Sequence, residues 1–203
     1  MKIICVGRNY AEHAKELGNA IPESPVIFIK PDTALLKDNN AFYHPDFSED
    51  IHYECELIFR VSREGKYVQE KFANTYIDGI GLGIDFTARD LQTEAKQKGL
   101  PWTLSKCFNH SAPVSAILPL DAYPDLQNIH FTCKINDELR QTGHSGDMIH
   151  TVASLIAYIS RFITLKKGDY IFTGTPAGVG KVAVGDKIEG FLEGKQLLNF
   201  GVK

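Results

Sequence analysis

At 203 residues, with 43% hydrophobic and 23% charged residues and a net charge of −3, the chain can bury one substantial core and has no excess positive charge for nucleic acid or an anionic membrane. No apolar stretch approaches membrane-spanning length, and Met1–Val6 is broken too early by Gly7-Arg8-Asn9 to read as a signal peptide. Four scattered cysteines (Cys5, Cys55, Cys107, Cys133) lack metal or redox spacing and read as reduced thiols of a cytoplasmic protein, one domain over 1–203; Cys107, beside Lys106, is the one held open as reactive.

In chain order, Arg8–Gly18 predicts a short helix capped by Asn9 and closed by Gly18. His13 and Glu16 stand three residues apart on it and share a face. A carboxylate beside an imidazole orients the ring and raises its basicity, as a general base requires, although such pairs also occur on plain exposed helices. Val26–Ile29 predicts a strand closed by Lys30, a candidate anion contact. The run Ile51–Phe59 alternates: Tyr53, Cys55, Leu57 and Phe59 take one face, and His52, Glu54 and Glu56 the other. This sets the two carboxylates about 6.5–7 Å apart along the strand. Two anions in an apolar strand are costly unless the face is solvated or a cation joins them.

Gly79–Phe86 predicts a second strand, with Ile80, Leu82, Ile84 and Phe86 on one face. The other face holds three glycines and then Asp85, so something bulky must approach it closely. Thr87 to Asp90 reads as a capping box opening a helix to about Lys98, stopped by Gly99. Asp85 therefore sits where strand becomes helix. Glu54, Glu56 and Asp85, with no Cys or His nearby, favour a hard ion, Mg²⁺ or Mn²⁺. Lys106 is a lone cation suited to an anion or a developing enolate. Further on, Ile129–Ile135 and Glu138–Thr142 predict a hairpin turning at Asn136-Asp137. A helix over His150–Leu165 carries a stripe of Val152, Leu155, Ile156, Ile159, Phe162 and Ile163. Tyr170–Thr173, Lys187–Leu192 and Gln196–Val202 close the chain as strands. The pattern is mostly β with a few short helices, a mixed α+β class. Gly174–Lys181 is not a phosphate loop, because five residues separate Gly174 from Gly180 and Val182 stands where Ser or Thr is needed. The glycines of 79–83 likewise lack the third position of a dinucleotide fingerprint.

Taken together, these residues resemble the fumarylacetoacetate hydrolase family, in its short acylpyruvate hydrolase and oxaloacetate decarboxylase branch. The resemblance is carried by Gly7-Arg8-Asn9-Tyr10 with His13, Phe28-Ile29-Lys30-Pro31, Glu54-x-Glu56, Asp85–Asp90, Lys98–Thr103, Lys106, Asn136–Gln141 and Thr173–Pro176 with Gly178-Val179-Gly180. It implies a β-sandwich roll and a homodimer, with one Mg²⁺ or Mn²⁺ per subunit on Glu54, Glu56 and Asp85. Lys106 would face the substrate, and His13 with Glu16 would activate water on a mobile lid helix over 10–18. Thr175 would contact the substrate carboxylate, Arg89 and Gln92 would lie near the bound acid, and Arg8 and Lys30 would complete the substrate contacts. Relatives with Lys-x-Phe-Asp differ here, since Asn109 stands in the acidic position.

The chemistry that follows is cleavage of a C–C bond in a small 2-oxo or β-diketo acid through a metal-bound pyruvate enolate. The metal draws charge onto the keto oxygen and Lys106 adds fixed positive charge. Hydrolysis of an acylpyruvate also needs water activated by His13, whereas decarboxylation of oxaloacetate does not. The rival readings are an isomerase or decarboxylase of 2-hydroxyhepta-2,4-diene-1,7-dioate type and a non-catalytic, metal-dependent oxo-acid binding protein. Retention of His13 and Glu16 argues against the second, because chelation alone does not need them.

Overall fold

The computed structural model describes every residue except Leu17 and Asn19. Strands dominate, as the alternating runs predict. The first sheet contains β1 (Ile3–Gly7), β2 (Val26–Lys30) and, after a short strand β3 (Ile51–Tyr53), β4 (Cys55–Val61) and β5 (Ile77–Ile84). With β6 (Tyr170–Phe172) and the Leu118–Pro119 segment, the spatial order is β2, β1, β6, β4, β5, Leu118–Pro119. Among the described residues only the β1–β6 pair in that sheet is parallel. The second sheet is antiparallel: the hairpins His130–Ile135/Glu138–His144 and Lys187–Leu192/Lys195–Gly201 pair through His130–Ile135 and Lys187–Leu192, leaving Glu138–His144 and Lys195–Gly201 on the edges.

The two sheets meet across the main core. Leu57, Phe59, Ile80, Leu82 and Ile84 of the first sheet join Phe131, Cys133, Ile188, Leu192 and Leu198 of the second in one buried cluster. Each such side chain contributes about 1.5–3 kcal/mol when fully buried. The approach is close enough that a Cβ on Gly190 would meet Leu82 and Leu198 at 3.1 Å. The opposite face of the first sheet carries a smaller cluster around Ile3, Cys5, Ile58 and Phe172. Here the glycine run of β5 finds its purpose, because a Cβ on Gly83 would lie 2.5 Å from the Phe172 ring and one on Gly79 2.3 Å from Ile117.

The hairpin turns where predicted, with Asn136 and Asp137 both left-handed at φ 51° and 66°. The later helix, Val152–Phe162, is capped by Thr151, whose hydroxyl accepts from the Ser154 amide at 3.2 Å. Its buried stripe is Val152, Leu155, Ile156 and Ile159; Phe162, expected on that stripe, is 63% exposed, while Ile163 just past the helix end packs partly buried against the core.

Two predicted caps are corrected. Thr87 does not open the helix at Arg89; with Ala88 it forms a two-residue strand, and its hydroxyl bonds the Asp85 carbonyl and the Lys106 ammonium. Asp90 instead accepts from Ser48 and from the amide of Leu91. The helix does end as predicted, at Gly99 with φ 65°. Asn9 likewise leaves its own helix uncapped and ties His150 to Thr173, donating to both carbonyls and accepting from the His150 amide. Among the described residues no helix is long and apolar enough to cross a membrane.

Candidate active site

The strand predicted over Ile51–Phe59 breaks at Glu54, between β3 and β4, where the Glu54 carbonyl accepts from the Asp85 amide at 2.8 Å. That bond brings the start of β4 beside the end of β5. Glu54, Glu56 and Asp85 are all buried, and one oxygen from each lies within 4.8 Å of the others. Alternation along the strand thus delivers two of the three carboxylates and strand pairing delivers the third.

Their partners are unequal. Arg89 donates to one oxygen of Glu54 at 2.5 Å and Lys106 to the other at 2.8 Å. Burial raises the Glu54 pKa, but Lys106 and Arg89 outweigh it and hold the group below the usual carboxylate range. Asp85 lies between Lys30 at 2.8 Å and Lys106 at 2.7 Å. Glu56 accepts only the Gly174 amide, at 2.6 Å, and has no cationic partner among the described residues. Burial, Asp85 and Glu54 push its pKa up. A buried carboxylate short of a counter-charge, beside two others offering only oxygen, fits a hard divalent cation.

Lys106 is 3% exposed and bonds Glu54, Asp85 and Thr87. Burial lowers its pKa, but Asp85 and Glu54 reverse the effect, so it remains a protonated donor and not a base. His13, also buried, lies 3.1 Å from Glu16 through Nδ1, and the other Glu16 oxygen accepts the Gly178 amide at 3.0 Å. Glu16 therefore fastens its helix, Ala11–Glu16, to the loop after β6. The predicted lid range 10–18 includes Leu17, which lies outside the described residues.

One cleft gathers most of these groups; Arg8, His13, Glu54, Glu56, Arg89, Gln92, Lys106 and Thr175 all line it. Arg8 reaches it from a left-handed backbone, φ 60°, a strained conformation for a residue with a side chain. Arg89 and Gln92 are joined by a 2.7 Å hydrogen bond. Thr175 is present, but its hydroxyl donates to the Cys55 carbonyl at 2.8 Å and accepts from Gln141 at 2.7 Å. Its proton is committed within the protein.

Lys30 is the correction. Read from sequence as a substrate contact, it does not line the cleft. Its ammonium is fully enclosed, hydrogen-bonded to the carbonyls of Phe86, Lys106 and Ser111 and to the Ser111 hydroxyl, with Asp85 beside it as an ion-pair partner at 2.8 Å. A strand-end lysine flanked by Ile29 and Pro31 gives no local sign of acceptors that lie 55 to 81 residues further along the chain. Cys107 is also corrected as the reactive thiol, because burial raises its pKa and its sulfur bonds the Ile29 carbonyl.

Sequence reasoning missed Gln141, Lys96 and Trp102. Gln141 locks Thr175 to the start of β4 by accepting from the Cys55 amide at 2.9 Å, a contact across 86 residues that no local pattern signals. Lys96 could have been found: Arg89, Gln92 and Lys96 repeat at i, i+3, i+7 on one helix, and all three line the cleft.

Known proteins match this arrangement along the whole chain. The model for the fumarylacetoacetate (FAA) hydrolase C-terminal family matches residues 2–202. The mitochondrial oxaloacetate tautomerase FAHD1 of Rattus norvegicus is 44% identical over 201 residues, covering 99% of this chain and 91% of that one. The mitochondrial oxaloacetate decarboxylase of Dictyostelium discoideum is 44% identical over 189 residues, covering 93% and 87%. The crystal structure of fumarylpyruvate hydrolase from Pseudomonas aeruginosa, in complex with Mn²⁺ and pyruvate, superposes with a TM-score of 0.94 at 33% identity, covering 100% of this chain and 89% of that one. A β-rich roll with few helices, closed around three buried carboxylates and matched end to end, places the chain in the fumarylacetoacetate hydrolase family.

Proposed function

We propose that this protein is a divalent-metal-dependent enzyme that acts on small 2-oxo acids by stabilising negative charge as an enolate forms, with oxaloacetate and acylpyruvates as substrates and C–C cleavage as its reaction. The observation that carries the reading is the buried trio Glu54, Glu56 and Asp85, of which both glutamates line one cleft with Lys106 and with His13, itself held by Glu16. The relatives named for oxaloacetate and the neighbour holding Mn²⁺ and pyruvate support it.

Glu54, Glu56 and Asp85 would hold Mg²⁺ or Mn²⁺, which when bound supplies Lewis acidity toward the keto oxygen. Lys106 contributes a fixed positive charge beside the same pocket; its three protons are held by Glu54, Asp85 and Thr87, so it acts on charge developing on the substrate through its field. Arg89 and Gln92, linked to each other, present a rigid polar wall for the acid. His13 serves the reaction that needs water: with Nδ1 turned to Glu16, Nε2 is the nitrogen that accepts a proton from water. Decarboxylation and keto–enol exchange of oxaloacetate share the enolate and do without that water. We assign the protein to a homodimer on the family pattern.

The test is turnover of acetylpyruvate and oxaloacetate with Mg²⁺ or Mn²⁺, before and after EDTA, in the wild type and in Glu56→Gln. Turnover that vanishes with EDTA, returns with metal and is absent from a folded Glu56→Gln is the expected outcome. Undiminished activity in that variant after metal return would remove the central claim.

A further inference from the structure

Four cations line the cleft: Arg8, Arg89, Lys96 and Lys106. Arg89 and Lys106 are bound to the carboxylate trio. Arg8 and Lys96 make no ion pair or side-chain hydrogen bond among the described residues. Both sit nearer solvent than the trio: Lys96 is exposed and Arg8 half-buried, whereas all three carboxylates are buried. Lys96 is nonetheless directed, because its ammonium lies 5.6 Å from the centre of the Trp102 ring, another cleft residue, within cation–π range.

The charges explain what these two residues are for. Three carboxylates and three cations, Lys30, Lys106 and Arg89, sum to no net charge, although every ion pair falls on Glu54 or Asp85 and none on Glu56. A divalent ion would make the inner site positive, and Arg8 and Lys96 add to that at the mouth. Two unpaired cations at the mouth of a cationic cleft repel each other. Burial, with Arg89 and Arg8 close by, already draws the Lys96 pKa down. Such an arrangement is relieved by an anion bridging mouth and interior.

We infer that Lys96, backed by Arg8 and held by Trp102, grips the distal carboxylate of a 2-oxo diacid and makes this site selective for dicarboxylates over monocarboxylates. The inference rests on the proposed 2-oxo acid chemistry and adds the residue that chooses among such acids. Lys96 is a specificity residue, remote from the reacting carbons. It stands on the same helical stripe as Arg89 and Gln92, and all three line the one cleft.

The experiment uses two non-reacting 2-hydroxy acids, malate and lactate, which differ by the distal carboxylate. Their Kd values are measured by calorimetry with Mg²⁺ present, for the wild type, Lys96→Ala and Lys96→Arg. Wild type is expected to favour malate. Lys96→Ala should weaken malate roughly 10- to 100-fold, the worth of a charge-assisted hydrogen bond, and move lactate less than about twofold. Lys96→Arg should restore most of the preference. A wild type without preference, an unchanged ratio in Lys96→Ala, or equal loss for both acids would each overturn the assignment. The outcomes also separate the two proposals. A malate preference lost in Lys96→Ala, in a protein that turns over no 2-oxo acid, would uphold this inference and sink the catalytic reading. Turnover with an unchanged ratio would do the reverse.

Discussion

Replacing Lys30 by methionine decides between two roles for one buried lysine. The sequence assigns it to substrate; its surroundings make it scaffold. Methionine keeps much of the length and volume of the stem but removes the ammonium. Asp85 then loses one of its two cationic partners, at 2.8 Å, and keeps only Lys106. The carbonyls of Phe86 and Ser111, at 3.1 and 3.0 Å, and the Ser111 hydroxyl at 2.9 Å lose a donor in a place water does not reach. Breaking a buried ion pair from one side costs about 3–5 kcal/mol. For a chain of this size each kcal/mol lowers Tm by roughly 2–4 °C, so a fall of about 6–20 °C is expected. The assay is thermal unfolding without ligand or metal, followed by steady-state kinetics below the new transition. A Tm within about 3 °C of wild type together with a raised KM would refute the scaffold role and return Lys30 to the substrate.

Two further outcomes bear on the catalytic roles. His13→Ala should lower acetylpyruvate hydrolysis by about 10²–10⁴-fold, the usual contribution of a positioned general base, and largely spare oxaloacetate decarboxylation, whereas Lys106→Ala should impair both; equal loss of both reactions in His13→Ala with neither lost in Lys106→Ala would void the assignment. The helix Ala11–Glu16 is too short to be stable on its own, and one bond from the Gly178 amide to Glu16 fastens it to the far loop, so amide exchange over residues 10–18 should slow when oxalate saturates the site; unchanged protection counts against a lid.

The strand period alone put Glu54 and Glu56 on one face, because a side chain's direction in an extended chain is fixed by its immediate neighbours. The same local physics placed Asp85 at the end of a glycine-lined strand, ended a helix at Gly99, and turned the hairpin at Asn136-Asp137. His13 and Glu16 met as expected, since helical spacing is also local. Resemblance across the chain brought these pieces into one site before any coordinate did. Tertiary structure decided the rest. Thr87 looked like a helix cap, but the Lys106 ammonium, brought in from 19 residues away, claims its hydroxyl. Thr175 looked free to bind an acid, but Gln141, 34 residues earlier, and the Cys55 carbonyl occupy its hydroxyl. Lys30 looked like a contact for substrate, and the fold drew it under Asp85, 55 residues on in the chain. In each case the residue type announced a polar group that must be satisfied, while the choice of partner depended on segments far apart in sequence, which only the tertiary fold brings within hydrogen-bond reach.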